Sequence, residues 1–253
     1  MNIVREFAEK DNRFKILTHE YNRGVSAARN TAIDAAQGEI LVFVDPDDYI
    51  ELNMLETLND AFIRYNKDII LFGYNIINAN GETETHELDG THSIVTADNI
   101  IDLQGCVWNK SIKTSAVRKH NIRFPEGLII EDSEFTFKAF ALCEEFKDIP
   151  EILYNYRNYR DGSYTTDDLL NDRMKDTLTI FERLYDFTIE ANIFKKYKKA
   201  LLIWFTRLIK AVIISPVQKE LIIRRAYAIL EKMNFPDAFK DLDHEAKFII
   251  WKN

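Results

Sequence analysis

The sequence predicts an α/β fold: a mostly parallel sheet flanked by helices, followed by an α-helical C-terminal region. Three observations predict it. The first 80 residues or so read helix, strand, helix, strand, helix, strand, the alternation of a layered α/β protein. Glu39 to Asp45 (EILVFVD) is a continuous apolar run closed by acids and a proline, which suits a strand buried on both faces of a parallel sheet. From Leu169 onward almost every window has helical spacing, interrupted at Pro216 and Pro236.

Taken in order, Ile3, Val4, Phe7 and Ala8 share one helical face, so the chain opens inside a helix with no capping residue before it. Phe14 to Thr18 reads as a short strand. Val25 to Gln37 is Ala-rich and helical, with Gly38 as its stop. The apolar run 39–45 follows, then a helix over Leu52 to Tyr65 and a second apolar strand over Asp68 to Ile77. Asn80-Gly81 marks a hairpin turn. Glu131 to Cys143 is helical by spacing and Ile152 to Arg157 is strand-like. No repeat or low-complexity segment is visible.

Hydrophobic residues make up 46% and charged residues 29% of the 253, ordinary for a globular protein. A net charge of −8 argues against a nucleic-acid binder, which needs a basic surface. The charge is uneven: Leu169 to Lys232 holds 13 basic and 7 acidic residues, the remainder 20 and 34. The longest apolar run, Ala200 to Ile214, is interrupted by Thr206, Arg207 and Lys210, too short and too charged to span a bilayer. Cys106 and Cys143 lack any CxxC spacing and read as reduced thiols, and the N-terminus has no apolar core of a signal peptide.

Asp45-Pro46-Asp47-Asp48 stands directly after LVFV, at the carboxyl end of the expected strand, where open α/β sheets bind ligands. Three such carboxylates repel one another unless a cation or several donors compensate, and hard divalent cations take oxygen ligands and substrate phosphates. The chemistry indicated is a metal–diphosphate site. An EF-hand is excluded because Tyr49 and Ile50 occupy the fifth and sixth loop positions. Acids favoured at a helix N-terminus are the alternative. The five histidines are scattered and suggest no ligand set.

The stretch NRGVSAARNTAIDAAQGEILVFVDPDD, from Asn22 to Asp48, resembles the ordered signature of family 2 nucleotide-sugar glycosyltransferases, whose fold is GT-A. Val107-Trp108-Asn109-Lys110 resembles the family's W-N-K segment. Arg123 to Asp132 (RFPEGLIIED) resembles its F-x-E-G-x-x-x-E-D segment, and Tyr156-Arg157 with Gly162-Ser163 the stretch that closes the catalytic region. The resemblance covers about residues 2–165, giving a GT-A-like domain over 1–165 and a helical region over 166–253.

The resemblance implies that Arg29, Asn22, Gly24, Asp45 and Asp47 serve the nucleotide-sugar donor. Asp45 and Asp47 would hold Mg²⁺ or Mn²⁺, with Asp47 in the more direct contact. Trp108, Asn109 and Lys110 would lie near the acceptor, a glycan or lipid-linked hydroxyl. Asp132 would be the catalytic base of an inverting transfer, with Glu131 beside it. The setting so implied is cell-surface polysaccharide synthesis in the cytoplasm, without nucleic acid. Lys195, Lys196, Lys198, Lys199, Arg207 and Lys210 surround Leu201, Leu202, Trp204, Phe205, Leu208 and Ile209, the composition of a helix peripheral at the inner face of an anionic membrane. A helix packed on the domain is the alternative. Relatives carry a first βαβ part, ending in D-D-G-S, that has no counterpart here. An inactive truncated remnant acting as a binding or scaffold module therefore stands as an alternative function, and a metal-dependent phosphohydrolase using Asp45, Asp47 and Asp48 as a further one.

Overall fold

The structure is a computed structural model that describes residues 2–103, 105–158, 170–214 and 219–233. Helix α1 (Asn2–Lys10) precedes α2 (Val25–Ala35), β1 (Ile40–Val42), β2 (Tyr49–Ile50), α3 (Met54–Tyr65) and β3 (Ile69–Ile77). Next come β4 (Thr83–His86), α4 (Ile100–Leu103), β5 (Lys110–Lys113), α5 (Thr114–Lys119), α6 (Glu131–Cys143) and β6 (Phe146–Arg157). Helices α7 (Leu170–Glu190), α8 (Phe194–Ile214) and α9 (Lys219–Lys232) follow. The α/β alternation and the helical C-terminal region are as the sequence predicts.

The sheet order is β1-β5-β3-β6-β2, with β4 joined to the outer half of β3. It is mixed, which corrects the mostly parallel sheet expected from sequence. Among the described residues only β3 and β6 pair in parallel, while β1–β5, β5–β3, β3–β4 and β6–β2 are antiparallel. The run 39–45 accordingly differs from its prediction. Only Ile40–Val42 is strand, half-buried, with one described neighbour. Its apolar character reflects packing on both sides rather than parallel neighbours: Leu41 and Phe43 join the larger core cluster, Ile40 and Val42 the smaller.

Other boundaries move for local reasons. Phe14 to Thr18 forms no strand; among the described residues no strand pairs with it, and Phe14, Ile16 and Leu17 are exposed. Helix α2 stops at Ala35, not at Gly38, because Ala36 turns extended at φ −61° and ψ 136°. The α5 region captures the carbonyls left there, Arg118 donating to Ala36 O and Thr114 to Gly38 O, each at 2.6 Å. The 80–81 hairpin forms as expected, with Gly81 at φ 82°. Strand β6 begins six residues earlier than the sequence suggests, because Pro150 conceals its first half. Between Phe72 and Tyr74 the β3–β6 register jumps: Phe72 faces Ile149, Gly73 faces Ile152 and Tyr74 faces Tyr154. Gly73 is required there, since a Cβ would stand 2.4 Å from Ile152 Cδ1 and 2.9 Å from His86 O.

Two apolar clusters cover the two faces of the sheet. Met54, Leu58 and Phe62 of α3 pack on Ile70, Phe72, Ile149 and Tyr154. On the other face Ile33, Val117, Phe135, Phe137 and Phe140 meet Ile69, Leu71 and Phe146, and the same cluster continues into Phe181, Leu184, Leu201 and Phe205 of the C-terminal helices. Each large side chain buried this way contributes roughly 1.5–3 kcal/mol.

The α8 residues proposed as a lipid-facing stripe are instead interior. Leu201, Leu202 and Phe205 are buried, and Trp204 packs against the core. Lys196, Lys199 and Arg207 reach Glu144, Asp98 and Asp102 at 2.7, 2.8 and 3.3 Å. The basic helix is complementary to the acidic front of its own chain. The side chains of Leu208, Ile209 and Lys210 lie outside the described set, as do Pro216, Pro236, Gly162 and Ser163. Among the described residues no helix is long and apolar enough to cross a membrane.

Two buried carboxylates fasten the periphery. Asp148 accepts from His92 N at 2.8 Å and lies 3.1 Å from His92 Nδ1, anchoring the 87–93 loop to β6, with Asp89 3.3 Å from the same nitrogen. His92 thus sits with two carboxylates, where the sequence suggested no such grouping. Glu134, wholly buried on α6, accepts from Lys138 at 2.5 Å and from Arg183 of α7 at 2.6 and 2.9 Å. Removing Arg183 leaves that carboxylate with one partner. Arg183→Met should therefore lower stability by about 2 kcal/mol, measurable by urea unfolding at pH 7, the half-exposed arginine keeping the loss below that of a fully buried pair.

Candidate active site

Because β5 runs against β1 and β3, the residues leading into it, 105–110, meet the carboxyl ends of β1 and β6. There they enclose a cavity of about 590 Å³ lined by Gly24, Val25, Ser26, Arg29, Asp45, Pro46, Asp47, Trp108, Gly127, Leu128, Ile129, Glu131, Asp132 and Tyr156. That size suits a small-molecule ligand.

Arg29 is the hub. It projects from α2, whose backbone is fixed to the 123–130 segment by a reciprocal pair: Asn30 Nδ2 donates to Phe124 O and Phe124 N to Asn30 Oδ1, both at 2.9 Å. The guanidinium lies 5.2 Å from the Phe124 ring centre and donates to Asp45 at 2.9 Å, Glu131 at 2.8 Å and Asp132 at 2.5 Å. Asp45 comes from the end of the β1 segment; Glu131 and Asp132 open α6, where the helix dipole favours acids.

One cation against three carboxylates leaves negative charge in a sheltered place. Burial, then the neighbouring Asp132, pushes the Glu131 carboxyl up to about 7. Burial likewise raises Asp132, opposed by Arg29 and by the Val107 amide, which donates to Asp132 Oδ2 at 3.0 Å.

The acids of 45–48 divide their work. Asp45, Asp47 and Asp48 each bring an oxygen within 4.8 Å of the others, a hard-oxygen set that fits Mg²⁺ or Mn²⁺. Asp45 and Asp47 line the cavity. Asp48 faces the sheet, accepting from Tyr154 Oη at 2.7 Å and Arg157 N at 2.9 Å, and burial raises its carboxyl. Tyr154 Oη in turn accepts from Asp45 N at 3.1 Å, and Arg157 Nε donates to Asp47 O.

The remaining sequence-predicted residues separate. Trp108 lines the cavity, stacked on Tyr154 at 4.7 Å and Tyr156 at 5.5 Å, with Tyr74 edge-on. Gly24 lines it too, at φ 84°, a conformation that favours glycine. Asn22 is outside the lining set; its Oδ1 accepts from Gly24 N at 2.9 Å and makes the turn before α2. Asn109 and Lys110 are buried behind the cavity, with Lys110 Nζ donating to Asn109 Oδ1 at 2.7 Å and Cys106 O at 2.6 Å. The sequence reading missed the roles of Asn30, Tyr154 and the ring of Tyr156, and it gave Asp48 as one of three clustered acids without its bonds to Tyr154 and Arg157. The alternation Tyr154, Tyr156 on one strand face was the available signal.

Residues 2–119 match the family model described as Glycosyl transferase family 2. The putative glycosyltransferase EpsH of Bacillus subtilis is 29% identical over 214 residues, covering 79% of this chain and 60% of that protein. Poly(ribitol-phosphate) beta-N-acetylglucosaminyltransferase TarS of Staphylococcus aureus is 31% identical over 169 residues, 65% of this chain and 29% of that one. The crystal structure of S. aureus TarS 1–349 in complex with UDP-GlcNAc has a TM-score of 0.59 at 20% identity, covering 98% of this chain and 77% of that chain, a likeness of fold. Fold and acid-lined cavity together define a GT-A-type α/β protein. Over residues 2–119, a little under half of its length, the chain is similar to the family 2 glycosyltransferases. It spans 60% of EpsH and 29% of TarS.

The raised Glu131 carboxyl sets a pH dependence. The folded protein holds this proton more tightly than the unfolded chain, so the group's contribution to stability is full below its ordinary 4.5 and is lost as pH rises through about 7. The loss is on the order of 2–3 kcal/mol. Thermal unfolding midpoints should fall between pH 5 and 7.5, and the fall should be smaller in Glu131→Gln.

Proposed function

We propose that the chain transfers a sugar from a nucleoside-diphosphate donor to a hydroxyl of a glycan or lipid-linked acceptor, with inversion, in the assembly of a cell-surface polymer. The observation that carries this reading is the convergence on Arg29 of an acid from the 45–48 cluster and the acids that open α6, all on one cavity. A diphosphate site and a proton acceptor must share a space for such a transfer, and here they are joined through one guanidinium.

In this reading the acceptor oxygen bonds to the anomeric carbon as that carbon's bond to the diphosphate oxygen breaks on the opposite face. Asp132 takes the hydroxyl proton, a service typically contributing about 10²–10⁴-fold. Its burial, which raises the carboxyl, brings it nearer the range where a general base works well. Glu131, raised to about 7 by burial and by Asp132, is protonated in part near neutrality and helps hold Arg29 in place. Asp45 and Asp47 would hold Mg²⁺ or Mn²⁺, which when bound neutralises charge developing on the leaving diphosphate. Trp108 and Tyr156 offer an aromatic wall for a sugar or base ring. The place of reaction is the cytoplasm, and a peripheral seat at the membrane would rest on exposed basic side chains such as Lys195, since Leu201, Leu202 and Phe205 are interior.

Asp132→Asn should lower transfer by at least about 10²-fold while leaving donor affinity within a few-fold, read by steady-state kinetics and calorimetry with sugar nucleotides. Retained turnover would remove Asp132 from the base role. Asp47→Ala should steeply raise the Mg²⁺ or Mn²⁺ concentration needed for half-maximal rate. A wild-type rate indifferent to chelator would refute the metal assignment.

A further inference from the structure

Lys110 is 3% exposed, yet among the described residues no carboxylate lies within ion-pair distance of its ammonium. Burying a cation in this way is costly in desolvation, and an apolar residue of similar volume is often the cheaper choice. Its two recorded partners explain where it is directed. Nζ donates to Cys106 O at 2.6 Å and to Asn109 Oδ1 at 2.7 Å. The carbonyl of Cys106 and the amide of Val107 belong to a single peptide group, and Val107 N donates to Asp132 Oδ2 at 3.0 Å. Ammonium, peptide and carboxylate therefore form one continuous chain of hydrogen bonds.

We propose that Lys110 is a positioning residue for Asp132, acting through the Cys106–Val107 peptide. This rests on the glycosyltransferase reading for its catalytic consequence, though not for the chain of bonds itself. A cation on the carbonyl end of a peptide polarises it and strengthens the donor at the other end, the cooperative effect expected of linked bonds in a dry interior. The Val107 amide then holds one Asp132 oxygen while Arg29 holds the other at 2.5 Å, fixing the plane of the carboxylate against the cavity. Burial lowers the proton affinity of Lys110, and Cys106 and then Asp132 oppose that lowering. The W-N-K segment so read supplies Trp108 to the cavity wall and Lys110 to its support.

The test begins with the ¹⁵N-labelled full chain. In Lys110→Met the Val107 amide proton should move upfield and exchange about 5-fold faster, the effect of one weakened hydrogen bond. The Phe72 amide, which donates to Asn109 O at 3.2 Å, should be unchanged and so report an intact segment. Lys110→Gln, able to donate without charge, should fall between the two and carries the measurement if the methionine variant does not fold. Asp132→Asn should move the Val107 amide in the same direction. An unmoved Val107 amide beside an unchanged Phe72 amide overturns the proposal. Kinetics supply the second readout. Lys110→Met should lower kcat by about 10²-fold with little change in donor KM, the scale of a misplaced reacting group. In the Asp132→Asn background the same change should cost less than about 3-fold, since groups that act as a unit are not additive. Equal losses in both backgrounds would show that Lys110 does not act through Asp132. An amide response as predicted in a protein that turns over no sugar nucleotide would sink the proposed reaction and leave the bond chain standing.

Discussion

The structure around the cavity depends on one guanidinium holding three carboxylates. Arg29 is separated from Asp45 by 16 residues and from Glu131 and Asp132 by 102 and 103. Without that cation the end of β1 and the start of α6 would confront each other as like charges in a partly dry space, at a cost that grows as the dielectric falls. With it, α2, the end of β1 and the start of α6 are drawn to one point. The Phe124 ring and the Asn30 clamp keep the guanidinium from swinging away. The arrangement is a network rather than a pair, and burial, with the neighbouring Asp132 adding to it, is what raises Glu131.

Much of this was legible in the sequence, though unevenly. The helix over Met54–Tyr65 follows from spacing because it buries one face, while the helix over Glu131–Cys143 is buried nearly all round and is legible from its length and helix-forming residues. The acids at 45–48 and 131–132 were legible as residue types in an ordered pattern. What the sequence could not express was direction. An apolar run like Glu39 to Asp45 says that both faces are covered, not whether its neighbour runs with it or against it, and β5 runs against it. Lys110 looks solvated in a one-dimensional reading, because lysine almost always is. Only the turn of 105–110 carries it inward. The same limit applied to α8, whose basic and apolar stripes fit a membrane surface and the acidic face of its own domain equally well.

The register jump in β6 has an arithmetic consequence. Before it, β6 residues lie 77 positions beyond their β3 partners, as Phe72 and Ile149 do; after it the difference is 80, as with Tyr74 and Tyr154. The three added residues are an odd number, and alternation along a strand has period two. The half-turn exchanges the faces of everything downstream. An even insertion would have sent Tyr154 and Tyr156 to the α6 side of the sheet and left Trp108 without its stacked rings. Whether the aromatic wall exists at all is thus decided by parity, at Pro150-Glu151, a stretch that does not itself border the cavity.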